Sequence, residues 1–220
     1  MTFLAAAQAQ GYKFTADDFS MHLPVWDKLL EQIKPQKILE IGSAEGVSAC
    51  YTMEQCLPYG NVELHCIDTF MGGAETENSY ILGMEERFRF NANLKIKEME
   101  QKFPQNKCDL RVYKGTSYEH LGKLIAQGLL GYFDMIYVDG SHQTHDVLAD
   151  CAMAFPLLRN FGLMILDDYL WYELIRQGGE NIKRLSHPKP AIDAFININH
   201  FRLRVIQTPL YQMYLQKIAD

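Results

Sequence analysis

The stretch "KILEIGSAEGVSACYTMEQCL", residues 37–57, decides the fold. Its first five residues form a short, mostly apolar run after Pro35 and read as a strand. Gly42 and Gly46 bracket a tight turn, and the remainder reads as a helix. A strand that enters a helix through a glycine turn is the first half of a βαβ unit. The second half is "VELHCID", 62–68, an apolar strand that ends in acid.

The same alternation continues outward. "MEERFRFNANLKIKEME" is a charged helix, "DLRVYKG" (109–115) a strand, "HLGKLIAQGL" a helix and "FDMIYVDG" (133–140) a strand. "DVLADCAMAFPLL" is again a helix and "GLMILDD" (162–168) a strand. Strands in such alternation form a parallel sheet, and nearly continuous apolar runs belong to strands covered on both faces. The tail "FRLRVIQTPLYQMYLQKI" alternates instead and predicts two strands joined at Pro209, an antiparallel hairpin at the sheet edge. The expected fold class is therefore α/β: a doubly wound, mostly parallel, Rossmann-like sheet of about seven strands with an antiparallel C-terminal edge hairpin.

No linker interrupts the pattern, so the expectation is a single domain over 1–220. It comprises a helical segment at 1–34, a core at 35–170, a lid-like insertion at 170–190 and a helix plus hairpin at 191–220. The segments 70–85 and 170–190 are expected to cover the same edge of the sheet.

The 220 residues are 48% hydrophobic and 22% charged, with a net charge of −6. A mildly acidic chain without basic runs is a poor nucleic-acid binder. The start "MTFLAAAQAQGYKF" lacks a basic region ahead of a long apolar stretch, and no apolar run reaches bilayer length. No membrane association is expected. The five cysteines (Cys50, Cys56, Cys66, Cys108 and Cys151) are odd in number and form no C-x-x-C pair. That argues against a disulfide framework or zinc site and for a reducing cytoplasm.

In open α/β sheets ligands bind beyond the carboxyl ends of the strands. Here those ends carry Glu40–Gly42, Asp68, Gly115–Ser117, Asp139–His142 and Asp167–Asp168, which topology gathers along one crevice. The Gly42–Gly46 turn allows close backbone approach to a ligand, and the helix behind it offers unpaired N–H groups. It also reads as an ordinary βα turn capped by Ser43. Ala44 breaks the G-x-G-x-x-G pattern, which disfavours a dinucleotide. Asp68 has the position of a ribose-binding acid and equally that of a helix cap. Three carboxylates in one crevice need a compensating charge or raised pKa values, and an oxygen-rich cluster suits a hard divalent ion. The competing reading makes Asp139 and Asp167 helix caps and Asp168 a solvated loop acid.

"KILEIGSAEGVS", "HCIDTF", "VYKGTSYEHL", "FDMIYVDGSHQTHDVLADCAMAFPLL" and "GLMILDDYLW" resemble the successive motifs of class I S-adenosylmethionine-dependent methyltransferases. The resemblance spans about residues 35–170. Its "VDGSH…LLRNFGLMILDDY" portion is similar to the macrocin-type sugar O-methyltransferases and, more distantly, to catechol O-methyltransferase. It implies that Glu40, Gly42, Ser43, Gly46 and Ser48 hold the methionine part of the cofactor. Asp68 and Thr69 would hold the ribose, Gly115, Thr116 and Ser117 would flank the adenine, and Asp139 would border the cofactor. Ala44 stands where many members have glycine. The resemblance further implies that Asp139, Asp167 and Asp168 bind a divalent metal, Mg²⁺ first, and that His142 is the general base beside Asp139. For His142, packing over the adenine or capping the next helix is the alternative. Tyr169, Trp171 and Tyr172 are candidates for a substrate wall, against plain packing.

The expected function is metal-dependent O-methylation of a small hydroxylated molecule, a sugar or other polyol, by an enzyme that can form homo-oligomers. A non-catalytic cofactor-binding relative and a nicotinamide-dependent oxidoreductase are the alternatives. The missing glycine pattern and the acid triplet disfavour the latter.

Overall fold

The structure is a computed structural model that describes residues 3–73, 78–171 and 187–220. In chain order the elements are α1 (Phe3–Ala9), α2 (Leu23–Ile33), β1 (Lys37–Ile41), α3 (Val47–Cys56), β2 (Val62–Asp68), α4 (Asn78–Ile81), α5 (Met84–Lys102), β3 (Cys108–Lys114), α6 (Ser117–Ala126), β4 (Phe133–Val138), α7 (Thr144–Ala154), β5 (Leu158–Leu166), α8 (Lys189–Ile198), β6 (Leu203–Ile206) and β7 (Met213–Lys217). The strands form one seven-stranded sheet in the order β3-β2-β1-β4-β5-β7-β6. The first five are parallel, and β7 runs antiparallel to both β5 and β6. The expected mixed, doubly wound sheet is what the chain forms.

Why the strands read as continuous apolar runs is visible in β4. Met135 and Tyr137 belong to the core on one face, with Trp26 and Phe88. Ile136 and Val138 belong to the core on the other, with Phe155 and Phe195. Each fully buried side chain of this size stabilises the fold by about 1.5–3 kcal/mol. The order reverses between β1 and β4, and that switch point opens the crevice beyond their carboxyl ends.

Two details differ from the sequence expectation. The N-terminal 34 residues are not helical throughout, since residues 12–17 have no regular structure. Their backbone is satisfied by distant side chains instead: Lys13 N donates to Asn91 Oδ1 at 2.7 Å and Thr15 N to Glu45 Oε2 at 2.6 Å. β5 begins at Leu158 rather than 162, and its pairing with β4 shifts register between Phe133 and Met135. Most of the 170–190 insertion, Tyr172 included, and residues 74–77 of the 70–85 segment lie outside the described residues. No helix among the described residues is long and apolar enough to cross a membrane.

Candidate active site

The glycine turn after β1 contains three left-handed residues: Gly42 (φ +84°), Ala44 (+43°) and Gly46 (+84°). At Gly42 the reason is another chain segment, because a Cβ there would sit 1.8 Å from the Asp139 carbonyl oxygen. At Gly46 a Cβ would lie 2.9 Å from the Phe88 ring. Asp68, at the end of β2, braces the turn. Its Oδ2 accepts from Ser43 N and Ala44 N, both at 2.7 Å, and its Oδ1 from Phe70 N at 2.6 Å. A carboxylate has about four acceptor directions, so Asp68 keeps capacity for a ligand hydroxyl.

Glu40 is 1% exposed. Burial pushes its carboxyl up to about 7, partly offset by the Ser43 and Ser48 hydroxyls; Ser48 Oγ donates to it at 3.0 Å. Glu45 is as buried, and it clamps three elements. It accepts from Thr15 N and Thr15 Oγ1 at 2.6 Å and pairs with Arg87 of α5. The N-terminal loop, the glycine turn and the start of α5 are thereby fixed against one another.

The acids after β4 and β5 meet across the sheet end. The Tyr137 hydroxyl lies between them, in contact with Asp139 Oδ2 at 2.9 Å and with Asp167 Oδ2. Gln212 Nε2 donates to Asp167 at 2.6 Å, while Gln212 Oε1 accepts from Trp26 Nε1 at 2.9 Å. Burial, then the neighbouring acids, holds both the Asp139 and Asp167 carboxyls well above the ordinary carboxylate range. One hydroxyl proton cannot serve two carboxylates at once, so a cation or an added proton would relieve the repulsion between them.

Asp168 has φ +57°. Its Oδ2 lies 2.7 Å from His142 Nε2, and its Oδ1 accepts from Tyr211 OH at 3.1 Å. The Trp171 ring packs against His142, tilted by 53°, with centroids 4.5 Å apart. Tyr169 instead donates to Asp193 of α8 at 2.8 Å. Asp139, His142 and Asp168 each offer a ligand atom, all within 4.8 Å of one another. Two carboxylates and an imidazole fit a divalent cation, and the imidazole extends the choice from Mg²⁺ towards Mn²⁺ or Fe²⁺. Asp167 instead points into the Tyr137–Gln212 network.

One cavity of about 1040 Å³ joins these parts. Of the residues singled out in the sequence, Gly42, Ser43, Ser48, Asp68, Thr69, Thr116, Ser117, Asp139, His142, Asp167 and Asp168 line it. Glu40 and Gly46 stand behind the wall. The N-terminal loop adds Asp17, Asp18 and Met21, and α7 adds Asp146 and Asp150. Sequence reasoning passed over Glu45, Asp150 and Gln212. The only trace of Asp150 is an acid four residues after Asp146 in a largely apolar helix.

Comparison with known proteins bears on the fold. A family model described as a methyltransferase domain matches residues 39–169. No curated protein sequence matches. Among solved structures, an O-methyltransferase from Bacillus cereus in complex with SAH superposes with a TM-score of 0.60 at 17% identity, covering 97% of this chain and 88% of that one. TomG, an O-methyltransferase from Streptomyces achromogenes involved in tomaymycin synthesis and solved with SAM, gives 0.58 at 18% identity, covering 98% and 86%. MycE, a methyltransferase of the mycinamycin biosynthetic pathway in complex with Mg and SAH, gives 0.56 at 18% identity, covering 93% of this chain and 51% of that one. With the family model matched over more than half its length, the chain belongs to the methyltransferase-domain family.

Proposed function

We propose that the protein is an S-adenosylmethionine-dependent O-methyltransferase acting on a small hydroxylated acceptor, a sugar or other polyol, with a divalent cation at Asp139 and Asp168. The observation that carries this reading is convergence. The Asp68-braced turn and the Asp139–His142–Asp168 cluster, far apart in sequence, face one cavity.

When bound, S-adenosylmethionine supplies an electrophilic methyl group, and a divalent cation lowers the pKa of a hydroxyl beside it. The Ser43–Ser48 wall and Asp68 orient the methionine and ribose parts. The neutral His142 imidazole takes the hydroxyl proton, and Asp168, 2.7 Å from its Nε2, stabilises the imidazolium that results. Tyr211 holds Asp168 in place through its hydroxyl. Trp171 covers His142 and narrows its access to water. Asp167, locked by Gln212, supports the site from behind, where ligation and positioning are separable by mutation. Placing the two reactants in line is worth up to about 7–11 kcal/mol of the barrier, and the base about 3–5 kcal/mol.

The test is calorimetric titration with S-adenosylmethionine, followed by methyl transfer to a panel of sugars, polyols and catechols with Mg²⁺, Mn²⁺ or EDTA. Cofactor binding and cation-dependent transfer are expected. Absence of both heat and thermal shift with S-adenosylmethionine would overturn the reading.

A further inference from the structure

His22 is a buried imidazole that nothing above employs. It closes the short 3₁₀ turn Ser20–His22 that leads into α2, and it is 5% exposed. Phe19, just before this turn, is wedged against Trp26 and Tyr137, with ring centroids 4.8 and 6.4 Å away. Packing therefore fixes the turn beside the end of β4. The His22 ring lies on Tyr211 with centroids 5.1 Å apart, and Tyr211 OH donates to Asp168. His22 Nε2 has no hydrogen-bond partner among the described residues. It lies 3.9 Å from Asp167 Oδ1, just beyond hydrogen-bond reach. His22 thus addresses both acids that follow β5, one with its nitrogen and the other through Tyr211.

Asp167 has a place for that nitrogen. Its Oδ1 accepts from Asp168 N at 2.6 Å, and its Oδ2 meets the Gln212 amide and the Tyr137 hydroxyl. A carboxylate has about four acceptor directions, so one stays open, on the oxygen that His22 faces. A buried N–H without an acceptor is costly, which favours closing the gap. Burial pushes the His22 imidazole down to about 4, against the pull of Asp168. The ring is therefore uncharged at neutral pH. It can orient Asp167 without adding positive charge beside a cation site, where a lysine or an imidazolium would repel the ion.

We propose that His22 is a positioning residue for the cation site: its Nε2–H donates to Asp167 Oδ1 in the loaded protein and holds the Asp167–Asp168 pair in the geometry that binds the divalent ion. The inference rests on the cation reading above. It adds to that reading a residue of the N-terminal segment, remote in sequence from every acid of the cluster.

The experiment compares the wild type with His22→Phe and His22→Gln. Phenylalanine keeps a ring against Tyr211 and removes both nitrogens, whereas glutamine places an amide N–H near the position of Nε2. Electron paramagnetic resonance reads Mn²⁺ affinity, calorimetry reads S-adenosylhomocysteine affinity, and thermal unfolding checks the fold. His22→Phe should bind Mn²⁺ about 10-fold more weakly or worse, with S-adenosylhomocysteine affinity within a few fold of wild type. His22→Gln should recover most of the Mn²⁺ affinity. Wild-type Mn²⁺ affinity in His22→Phe overturns the inference; so do equal losses in both variants, which would assign His22 to shape alone. Histidine-selective nitrogen NMR of the wild type with Mg²⁺ needs no variant to fold except for assignment by either one. It should show His22 as the neutral Nε2–H tautomer, and the Nδ1–H tautomer or an imidazolium overturns the inference. A wild type that binds S-adenosylhomocysteine but not Mn²⁺ overturns the cation reading and this inference with it.

Discussion

Asp139 passes so close above Gly42 that its carbonyl oxygen occupies the space a Gly42 side chain would need, 1.8 Å from an ideal Cβ. Asp139 N also donates to Ile41 O at 2.8 Å. The two strand ends are therefore locked backbone to backbone, and the left-handed φ of Gly42 adds to the constraint. Gly42→Ala should destabilise the protein by about 2–4 kcal/mol. Urea denaturation measures this, and a loss below about 0.5 kcal/mol would show that the approach is not tight.

Arg87 and Glu45 form a pair in which Glu45 is 1% and Arg87 16% exposed. Removing the arginine leaves the Glu45 charge buried, with Thr15 as its remaining side-chain donor. Losing one partner of a buried pair costs about 3–5 kcal/mol. Arg87→Ala is expected near the lower end of that range. The N-terminal loop should also become susceptible to protease around residues 12–17, and digestion followed by mass spectrometry checks it.

Burial raises the Glu40 carboxyl from its ordinary value to about 7, while the unfolded chain keeps that ordinary value. Between those two values the native state binds more protons than the unfolded state. Stability therefore falls as pH rises through about 4.5–7. In ligand-free protein the Glu40 contribution to that fall is of order 3 kcal/mol. Glu40→Gln should flatten the curve over this window and raise stability at pH 8 relative to wild type. Denaturation series at pH 5, 6, 7 and 8 make the comparison, and an unaltered slope in the variant refutes the assignment.

His142 and Asp168 have separable duties under the proposed mechanism. His142→Ala should lower kcat by about 10²–10⁴-fold while leaving cofactor affinity within a few fold. Asp168→Asn should weaken Mn²⁺ binding, read by electron paramagnetic resonance, and abolish the effect of EDTA on turnover. Measuring Mn²⁺ affinity in Asp167→Asn and His142→Ala decides the third ligand. If Asp167 acts from behind through the Tyr137–Gln212 network, its loss costs about 10–100-fold in affinity.

The sheet was legible because its signals are local. "KILEI" and "VELHCID" are bounded by punctuation residues, and β1 and β2 occupy those same positions. The gathering of Gly42, Asp68, Asp139 and Asp168 followed from strand direction alone. What escaped depends on long-range packing. Residues 12–17 leave the helix because Asn91 and Glu45, 78 and 30 residues further on, take their amide hydrogens. The early start of β5 is hidden by Phe161, which has φ +64° and is exposed, unlike a typical strand residue. Gln212 reads as one polar residue in an alternating strand, yet it links Trp26 to Asp167.

The insertion of β7 between β5 and β6 has a consequence for biogenesis. β7 follows every other strand in the chain, yet it fills an interior slot and brings in Gln212 and Tyr211. During translation the open flank of β5 must wait, unpaired, until that late segment leaves the ribosome. A nascent chain without this segment also lacks the Gln212 and Tyr211 hydrogen bonds to Asp167 and Asp168, and a stalled or prematurely terminated product would present a sticky, incomplete ribbon for chaperones to hold.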